Sequence, residues 1–536
     1  MTESAPAGSH VLPAARPLSW RTLLAAHGFW LGVGAVVAAA AAFLVHQLHA
    51  WPPHEDETLA LFVGRDSLPG VVEHVTRDRG GAPLHFLLAW GVAHAGGGLG
   101  ALRLVSVAFA LGSLPLVALL ARRLAGRLEA IAATALVAAS WLFLFHAVYG
   151  RMYSLFLFLS TASLLLLLRA LDRGGRSWAW WAAAILLAVA AHPYGALVLA
   201  GQGLFVLVAR RDRLREGVRA FAAVLLLGIP FWITDFVLAG RFDVGVGGGG
   251  ERLGGLGSVL SYLWRAAGDA SAGWAAALVV VLLLGAVGLE RATRETRLLV
   301  LATVAAPVAA FLLARVGGSA SPESRHLIFV LPLFAVLVAV GVRALARVAP
   351  LVAVAVVATL LGAEVAWAWH RTPPLFTWEP DARQAARAEA AAYLAATGRP
   401  DDVLFGYEPL FLGAWEQDGR FARLVVPRAD PRLAVRTLES RPQPLGRGVW
   451  VLDASDTNNA APALEIDLLP PEPAEAFVTR RFGPFLVIRT AEATGTPRRF
   501  LERTVQVQRT GRVLGLGDPD VNLQTARRAL RLLSER

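Results

Sequence analysis

Apolar runs of about twenty residues recur from Leu23 to Trp369, separated by short stretches where arginines, acids and glycines collect. A run of that length crosses a hydrocarbon core as an α-helix. The pattern predicts spans near 23–46, 101–121, 128–147, 153–171, 178–192, 195–209, 217–239, 272–289, 298–315, 326–344 and 349–369. The stretch Ala82–Ala95 is apolar over only about fourteen residues, which suits a re-entrant or interfacial helix better than a span. From about 373 the pattern changes, with Pro373-Pro374 at the boundary. An Ala- and Arg-rich amphipathic helix is expected over Asp381–Ala396. Short strands are expected at Asp402–Tyr407, Ala422–Val426, Gly448–Asp453 and Pro484–Arg489, with helices near 409–417 and 430–439 between them. The fold expected is a polytopic α-helical membrane protein of about eleven spans plus an interfacial helix, carrying a small C-terminal α/β domain. Its parts are an N-terminal segment (1–22), a membrane domain (23–372, with an acidic loop within 47–100), the α/β domain (373–490) and a basic tail (491–536) ending in a surface helix near 523–534.

Composition agrees with a membrane protein: 56% of the 536 residues are hydrophobic and mean hydropathy is +0.53. The first run is too long for a signal-peptide core and no small-residue cleavage site follows it, so it reads as a retained helix. With no cysteine, disulfides and thiolate chemistry are excluded. The net charge of +11 comes entirely from arginine over acid and is scattered between apolar runs, which argues against nucleic-acid binding. Leaving 82–95 out of the membrane places Arg122, Arg123 and Arg127 on one side with Arg169, Arg173 and Arg176. The groups Arg210–Arg215, Arg291–Arg297 and Arg343–Arg347 fall there too. The positive-inside rule makes that side, and the N-terminus, cytoplasmic. The acidic loop, the Tyr149–Tyr153 turn, His192–Tyr194, the Gly-rich loop 240–258, the Gly317–Arg325 loop and the α/β domain then share the outer face.

Candidate chemistry gathers on that face. His54-Glu55-Asp56-Glu57 follows the first span, and carboxylates beside a bilayer need water or a partner. Asp56 and Glu57 read either as a solvated loop or as a general base or metal ligand. With His54 they have donors for a divalent cation such as Mg or Mn, though no second ligand cluster fixes a geometry. The turn Tyr149-Gly150-Arg151-Met152-Tyr153 reads equally as an interfacial belt and as a grip on phosphate or sugar hydroxyls. His192-Pro193-Tyr194 reads as a structural turn or a ligand site. Arg325 and His326 open a span, as an anchor or as a hold on a lipid phosphate. Arg241 and Arg252 are weaker candidates of the same kind, and the Gly247–Gly250 run lacks the context of a phosphate loop.

The order of these pieces resembles the bacterial membrane glycosyltransferases of the C-type fold (GT-C), whose members include protein mannosyltransferases and enzymes that move aminoarabinose onto lipid A. The matching residues are Asp56-Glu57, Ala82-Pro83-Leu84-His85-Phe86-Leu87, Arg103-Leu104, Arg151-Met152-Tyr153-Ser154, His192-Pro193-Tyr194 and Ser324-Arg325-His326-Leu327 with Leu331-Pro332. They cover roughly residues 20–370. The resemblance implies a polyprenyl-phosphate sugar as donor, and a glycan, lipid or protein hydroxyl as acceptor. It also implies transfer with inversion on the outer face of the cytoplasmic membrane. By it, Asp56 is the base, supported by His54 and Glu57; Arg325 and Arg151 meet the leaving phosphate; His192 and Tyr194 line the donor pocket. Many relatives carry an acid where this chain has Tyr149, which puts a metal bridging two acidic loops in doubt. Two other readings stand beside this one: a flippase for a lipid-linked saccharide, which should carry charges midway through several spans, and a non-catalytic binder.

Overall fold

The computed structural model describes residues 20–48, 53–242, 256–271, 274–314, 324–371, 381–428, 430–453, 471–513 and 519–535. The segment 1–19, the Gly247–Gly250 run, Arg252 and Pro373-Pro374 lie outside them, as does the side chain of Arg241. Helices stand at all eleven expected span positions. Those of the first half are α1 (Trp20–Gln47), α5 (Leu99–Leu124), α6 (Arg127–Ala139) with α7 (Trp141–Val148), α8 (Tyr153–Arg173), α9 (Ser177–Ala191) and α10 (Gly195–Ala209). The second half has α11 (Leu214–Leu227) with α12 (Ile229–Phe242), then α14 (Ala275–Arg291), α15 (Arg294–Ala314), α16 (Leu331–Val348) and α17 (Pro350–Arg371); a further helix, α13 (Leu256–Asp269), lies before α14 at no expected span position. Among the described residues six helices are long and apolar enough to cross a bilayer alone, and eight if each bent pair forms one span. The protein is a multi-pass membrane protein. The other expected spans fall on α9, α10 and α14, of 15, 15 and 17 residues.

Two expected spans are broken. The chain bends by 57° between α6 and α7 and by 58° between α11 and α12. At the first break Ser140 is extended (φ −60°, ψ 136°), and the backbone N–H of Trp141 is received by Glu364 Oε2 at 3.3 Å. Glu364 is 3% exposed on α17. It is therefore an acid inside a span, where the sequence reads as almost free of charge, and it caps the helix that the break creates. At the second break Gly228 and Pro230 stop one helix and start the next, since proline fits a first turn but not a helix interior. Elsewhere backbones meet closely: a methyl at Gly288 of α14 would strike the Leu337 carbonyl, and one at Gly341 of α16 the Leu284 carbonyl. Small residues allow this approach between apolar helices.

Between α1 and α5 lie α2 (Glu55–Gly64), α3 (Leu68–Glu73) and α4 (Pro83–His94). With 12 residues α4 is about 18 Å long, too short to span, and it packs on α2.

The C-terminal domain is a five-stranded mixed sheet in the order β2-β1-β3-β5-β4. Its strands are β1 (Val403–Phe405), β2 (Leu424–Val426), β3 (Gly448–Asp453), β4 (Phe477–Phe482) and β5 (Phe485–Thr490). The first three are parallel and the last two antiparallel. Helices α18 (Asp381–Thr397) and α19 (Pro409–Gln417) flank one face, and α20 (Pro431–Glu439) flanks the other. β4 escapes the sequence pattern because Arg480 and Arg481 interrupt its apolar ends. The segment from 491, expected as a basic tail, forms α21 (Pro497–Val513) and α22 (Pro519–Ser534). Phe500, Leu501, Val507 and Ala529 from these helices enter the core around Trp450, so the segment is part of the domain.

On the side of the sheet that carries α18 and α19, the domain packs against the membrane domain. Leu59, Leu61 and Phe62 of α2 and Phe86 of α4 share one continuous core with Tyr407, Phe411, Trp415, Val449 and Phe485. Arg428 grips Glu55 through a bidentate ion pair, and Arg436 Nη1 donates to the Arg77 carbonyl at 2.7 Å. The acidic motif thus sits at the end of the bundle that carries the α/β domain.

Candidate functional site

The site begins at the N-terminus of α2. His54 is its N-cap: its Nδ1 accepts the Asp56 N–H at 3.1 Å, and its own N–H donates to Glu57 Oε2 at 3.1 Å. This reciprocal cap fixes the first turn and sends the two neighbouring acids different ways. Glu57 points inward and is fully buried. Arg103 clamps it through Nε to Oε1 (2.8 Å) and Nη2 to Oε2 (2.7 Å), and the Gly150 N–H adds a bond of 2.7 Å to Oε1. Both oxygens are filled, so Glu57 ties α2, α5 and the turn after α7 together. A carboxylate this buried is tolerated because its charge and lone pairs are satisfied.

Asp56 points outward with its side chain 30% exposed, within reach of a substrate. Arg151 Nη1 approaches its Oδ1 at 3.2 Å, and the Tyr149 hydroxyl donates to its Oδ2 at 3.2 Å. The same hydroxyl lies 2.9 Å from His54 Nδ1. Burial first, and then the Asp56 carboxylate, hold the Tyr149 phenol well above its usual range, so it keeps the proton that it donates to Asp56. Burial alone would lower the Arg151 pKa, but Asp56 and the Tyr153 and Tyr149 phenols outweigh it and the guanidinium stays charged.

Behind this pair, Tyr153 opens α8 at 1% exposure. Arg325 stands over its ring, 5.4 Å from the centroid. His192 and His326 lie 5.7 and 6.2 Å from the same ring and 5.4 Å from each other. Tyr194 closes the group, its ring 5.0 Å from His326, and its N–H is received by His192 Nδ1 at 3.0 Å. Ser324 Oγ donates to Asp269 and anchors the short helical turn Ser324–Val330 that carries Arg325 and His326. The structure therefore brings His54, Asp56, Glu57, Tyr149, Arg151, Tyr153, His192, Tyr194, Arg325 and His326 into one cluster drawn from α2, α8 and three turns.

One member is absent from the sequence reading. His146 of α7 is 1% exposed, and neither ring nitrogen has a hydrogen-bond partner. Its ring lies 4.7 Å from that of Tyr153 and 6.2 Å from that of Tyr149, and Arg325 and Arg151 are the charges that act on it. The available signal was a single imidazole in the apolar run Trp141–Val148.

The donor set does not fit a divalent cation. Arg151 and Tyr149 occupy Asp56, Arg103 saturates Glu57, and the histidines stand among arginines. Among the described residues no three His, Asp or Glu side chains gather in metal-ligand geometry. What the cluster offers is one reachable carboxylate beside a group of imidazoles, phenols and two guanidiniums, an arrangement that suits an anion.

No family model matches the chain, and no curated protein matches it in sequence. Solved structures do match. ArnT from Cupriavidus metallidurans bound to undecaprenyl phosphate aligns at a TM-score of 0.52 with 15% identity, over 87% of this chain and 98% of that one. The apo state of the same protein aligns at 0.51 with 17% identity over the same shares. A looser likeness, at 0.49 and 12% identity over 81% of this chain and 70% of that one, is to the archaeal oligosaccharyltransferase AglB from Archaeoglobus fulgidus in complex with an inhibitory peptide and a dolichol-phosphate. The alignment with ArnT takes in nearly the whole of that protein, and on it the chain has the C-type membrane glycosyltransferase fold.

Proposed function

We propose that the chain is an integral membrane glycosyltransferase that moves a sugar from a polyprenyl-phosphate donor to an acceptor hydroxyl, with inversion and with Asp56 as general base. The arginine distribution supports an N-terminus inside and an α/β domain outside the cytoplasmic membrane. The single observation that carries the reading is the pairing of Asp56, half-buried and oriented, with the cluster around Tyr153 where Arg151 and Arg325 converge. That ArnT, which this chain resembles in fold, has been solved bound to undecaprenyl phosphate supports a lipid phosphate as the ligand of this reading.

In this reading the acceptor oxygen attacks the anomeric carbon, and its proton passes to Asp56. The bond from that carbon to the phosphate oxygen breaks, and the electron pair leaves with the phosphate. Charge growing on the phosphate is met by Arg325 and Arg151, placed before the reaction begins. Arg151 also keeps Asp56 ionised, the form a base needs. Tyr149 stands where many relatives have an acid and holds Asp56 by a hydrogen bond, so the step needs no metal bridge. His192, Tyr194 and His326 line the donor site, while Glu57 and His54 set the direction of Asp56.

The test is transfer of radiolabelled sugar from a panel of polyprenyl-phosphate sugars by the purified protein and by Asp56→Asn. A loss of turnover of 10²-fold or more, with donor binding kept, is expected for removal of a general base. Undiminished transfer by Asp56→Asn would falsify the assignment. Donor binding without turnover in the unaltered protein would favour a flippase or a silent binder.

A further inference from the structure

Asp56 stands between two acids that are held from different domains. Successive residues of a helix point about 100° apart, so Glu55, Asp56 and Glu57 leave the first turn of α2 in three directions. Glu57 enters the bundle, where Arg103 of α5 forks onto it. Glu55 meets the α/β domain, where Arg428 forks onto it through Nε to Oε1 at 2.9 Å and through Nη2 to Oε2. The inner fork is buried and the outer one is part-exposed. The backbone of Asp56 is thus tied on both sides, and its side chain takes the remaining direction, toward Arg151 and Tyr149.

The α/β domain is built to deliver that arginine. Arg428 follows β2, Glu408 follows β1 and Asp453 ends β3, so the carboxyl ends of the three parallel strands face the start of α2. Open α/β sheets take their ligands at that end; here it takes the carboxylate of Glu55. Gly406 makes the room. Its φ is +84°, its N–H donates to the Val426 carbonyl at 2.8 Å, and a methyl there would come within 3.1 Å of Arg428 Cδ. A residue with a side chain would strain the turn and crowd the arginine's stem. Beyond Arg428, Asp430 caps α20 by accepting the Arg432 and Leu433 N–H groups. The arginine is therefore held between a strand end and a capped helix. A part-exposed ion pair stabilises a fold weakly, so the consequence of this one lies in geometry.

We propose that Arg428 is a positioning residue: through Glu55 it sets where Asp56 stands, so the α/β domain supplies part of the geometry of the site. The proposal rests on the transferase reading for its effect on rate, and on the two forks alone for its effect on α2. The test uses the full-length protein in nanodiscs, with two readouts. One is sugar transfer from the donor panel. The other is hydrogen exchange of the Thr58–Leu61 amides, which bond back to the carbonyls of the first turn. Arg428→Gln lowers kcat about tenfold, a fraction of the loss that a displacement of about 1 Å brings, and leaves KM for the donor unchanged. The same variant speeds exchange of those amides about fivefold, the size of a part-exposed ion pair. Glu55→Gln does likewise, and the double variant is no worse than either single one, since both remove the same contact. Arg428→Lys, which keeps the charge and loses the fork, recovers part of kcat and carries the comparison if Arg428→Gln does not fold. An unchanged kcat overturns the proposal, as does a loss that lies in KM alone or single losses that add in the double variant. Where the unaltered protein transfers sugar and Arg428→Gln transfers it equally well, Arg428 falls and the transferase reading stands. Where the unaltered protein transfers none, the transferase reading falls and exchange decides: faster exchange in the variant keeps Arg428 as the holder of α2, and unchanged exchange removes it.

Discussion

His146 holds two unpartnered ring nitrogens at 1% exposure beside Tyr153 and Tyr149. Leaving a buried polar group unpaired costs about 1–3 kcal/mol. A residue kept for the fold alone would be better replaced by an apolar ring of similar shape. His146→Phe separates these roles: the unfolding temperature in nanodiscs should rise or hold, while affinity for a polyprenyl-phosphate sugar falls about tenfold, as for one lost hydrogen bond to a charged group. Unchanged donor affinity in a stabilised variant would remove His146 from the site. The contrast with Glu57 is instructive. Glu57 is equally buried but filled on every side, so its loss should act on folding before it acts on chemistry.

At the scale of elements, the break between α6 and α7 is what delivers His146 and Tyr149 to the site. A helix starting inside an apolar bundle exposes N–H groups with no solvent to receive them. Glu364 answers that need at Trp141 by accepting its N–H. Glu364→Ala should lower the unfolding temperature by an amount corresponding to about 1–2 kcal/mol and reduce turnover through a displaced α7. Glu364→Gln, which keeps an acceptor oxygen, should recover most of both; equal damage from the two variants would show that capping is not the role. The sequence exposes Asp56, Arg151, His192 and Arg325 because they stand in polar turns between apolar runs. It hides His146 and Glu364 because one polar letter within such a run changes neither its length nor its period. The breaks at Ser140 and Gly228 are hidden for a related reason, since composition continues smoothly across them. In the α/β domain the parallel strands are legible as apolar runs and the last helix as an amphipathic segment near 523–534, while β4 and α21 take their places through tertiary packing that local pattern does not carry.

At the scale of the whole molecule, the membrane domain and the α/β domain share a core rather than meet through a linker. Leu59, Leu61 and Phe62 would face water without Phe411 and Trp415, so removing the domain disturbs α2 and with it Asp56. Charges gather at this seam as well. Glu408, the N-cap of α19, is pushed up to about 7 from an ordinary 4.5. Burial is the main cause, followed by the neighbouring Asp453 carboxylate. Arg387 and Arg428 oppose the shift, and Glu55, the residue before Asp56, adds to it. An acid raised in the folded state keeps its proton where the unfolded chain has already lost it. Stability contributed by Glu408 is therefore full below about 4.5, falls as pH rises to about 7, and is flat above that. The loss across this window is at most about 3 kcal/mol. Glu408→Gln stays neutral throughout, so thermal unfolding followed from pH 4.5 to 8 should show a shallower decline than in the unaltered protein. Because Arg428 holds both Glu55 and this region of the domain, the same scan should show any pH-linked loosening of the seam as a fall in the unaltered protein that the variant lacks. Parallel curves for the two proteins would mean that Glu408 ionises freely, and that the docking of the α/β domain over α2 is insensitive to pH in this range.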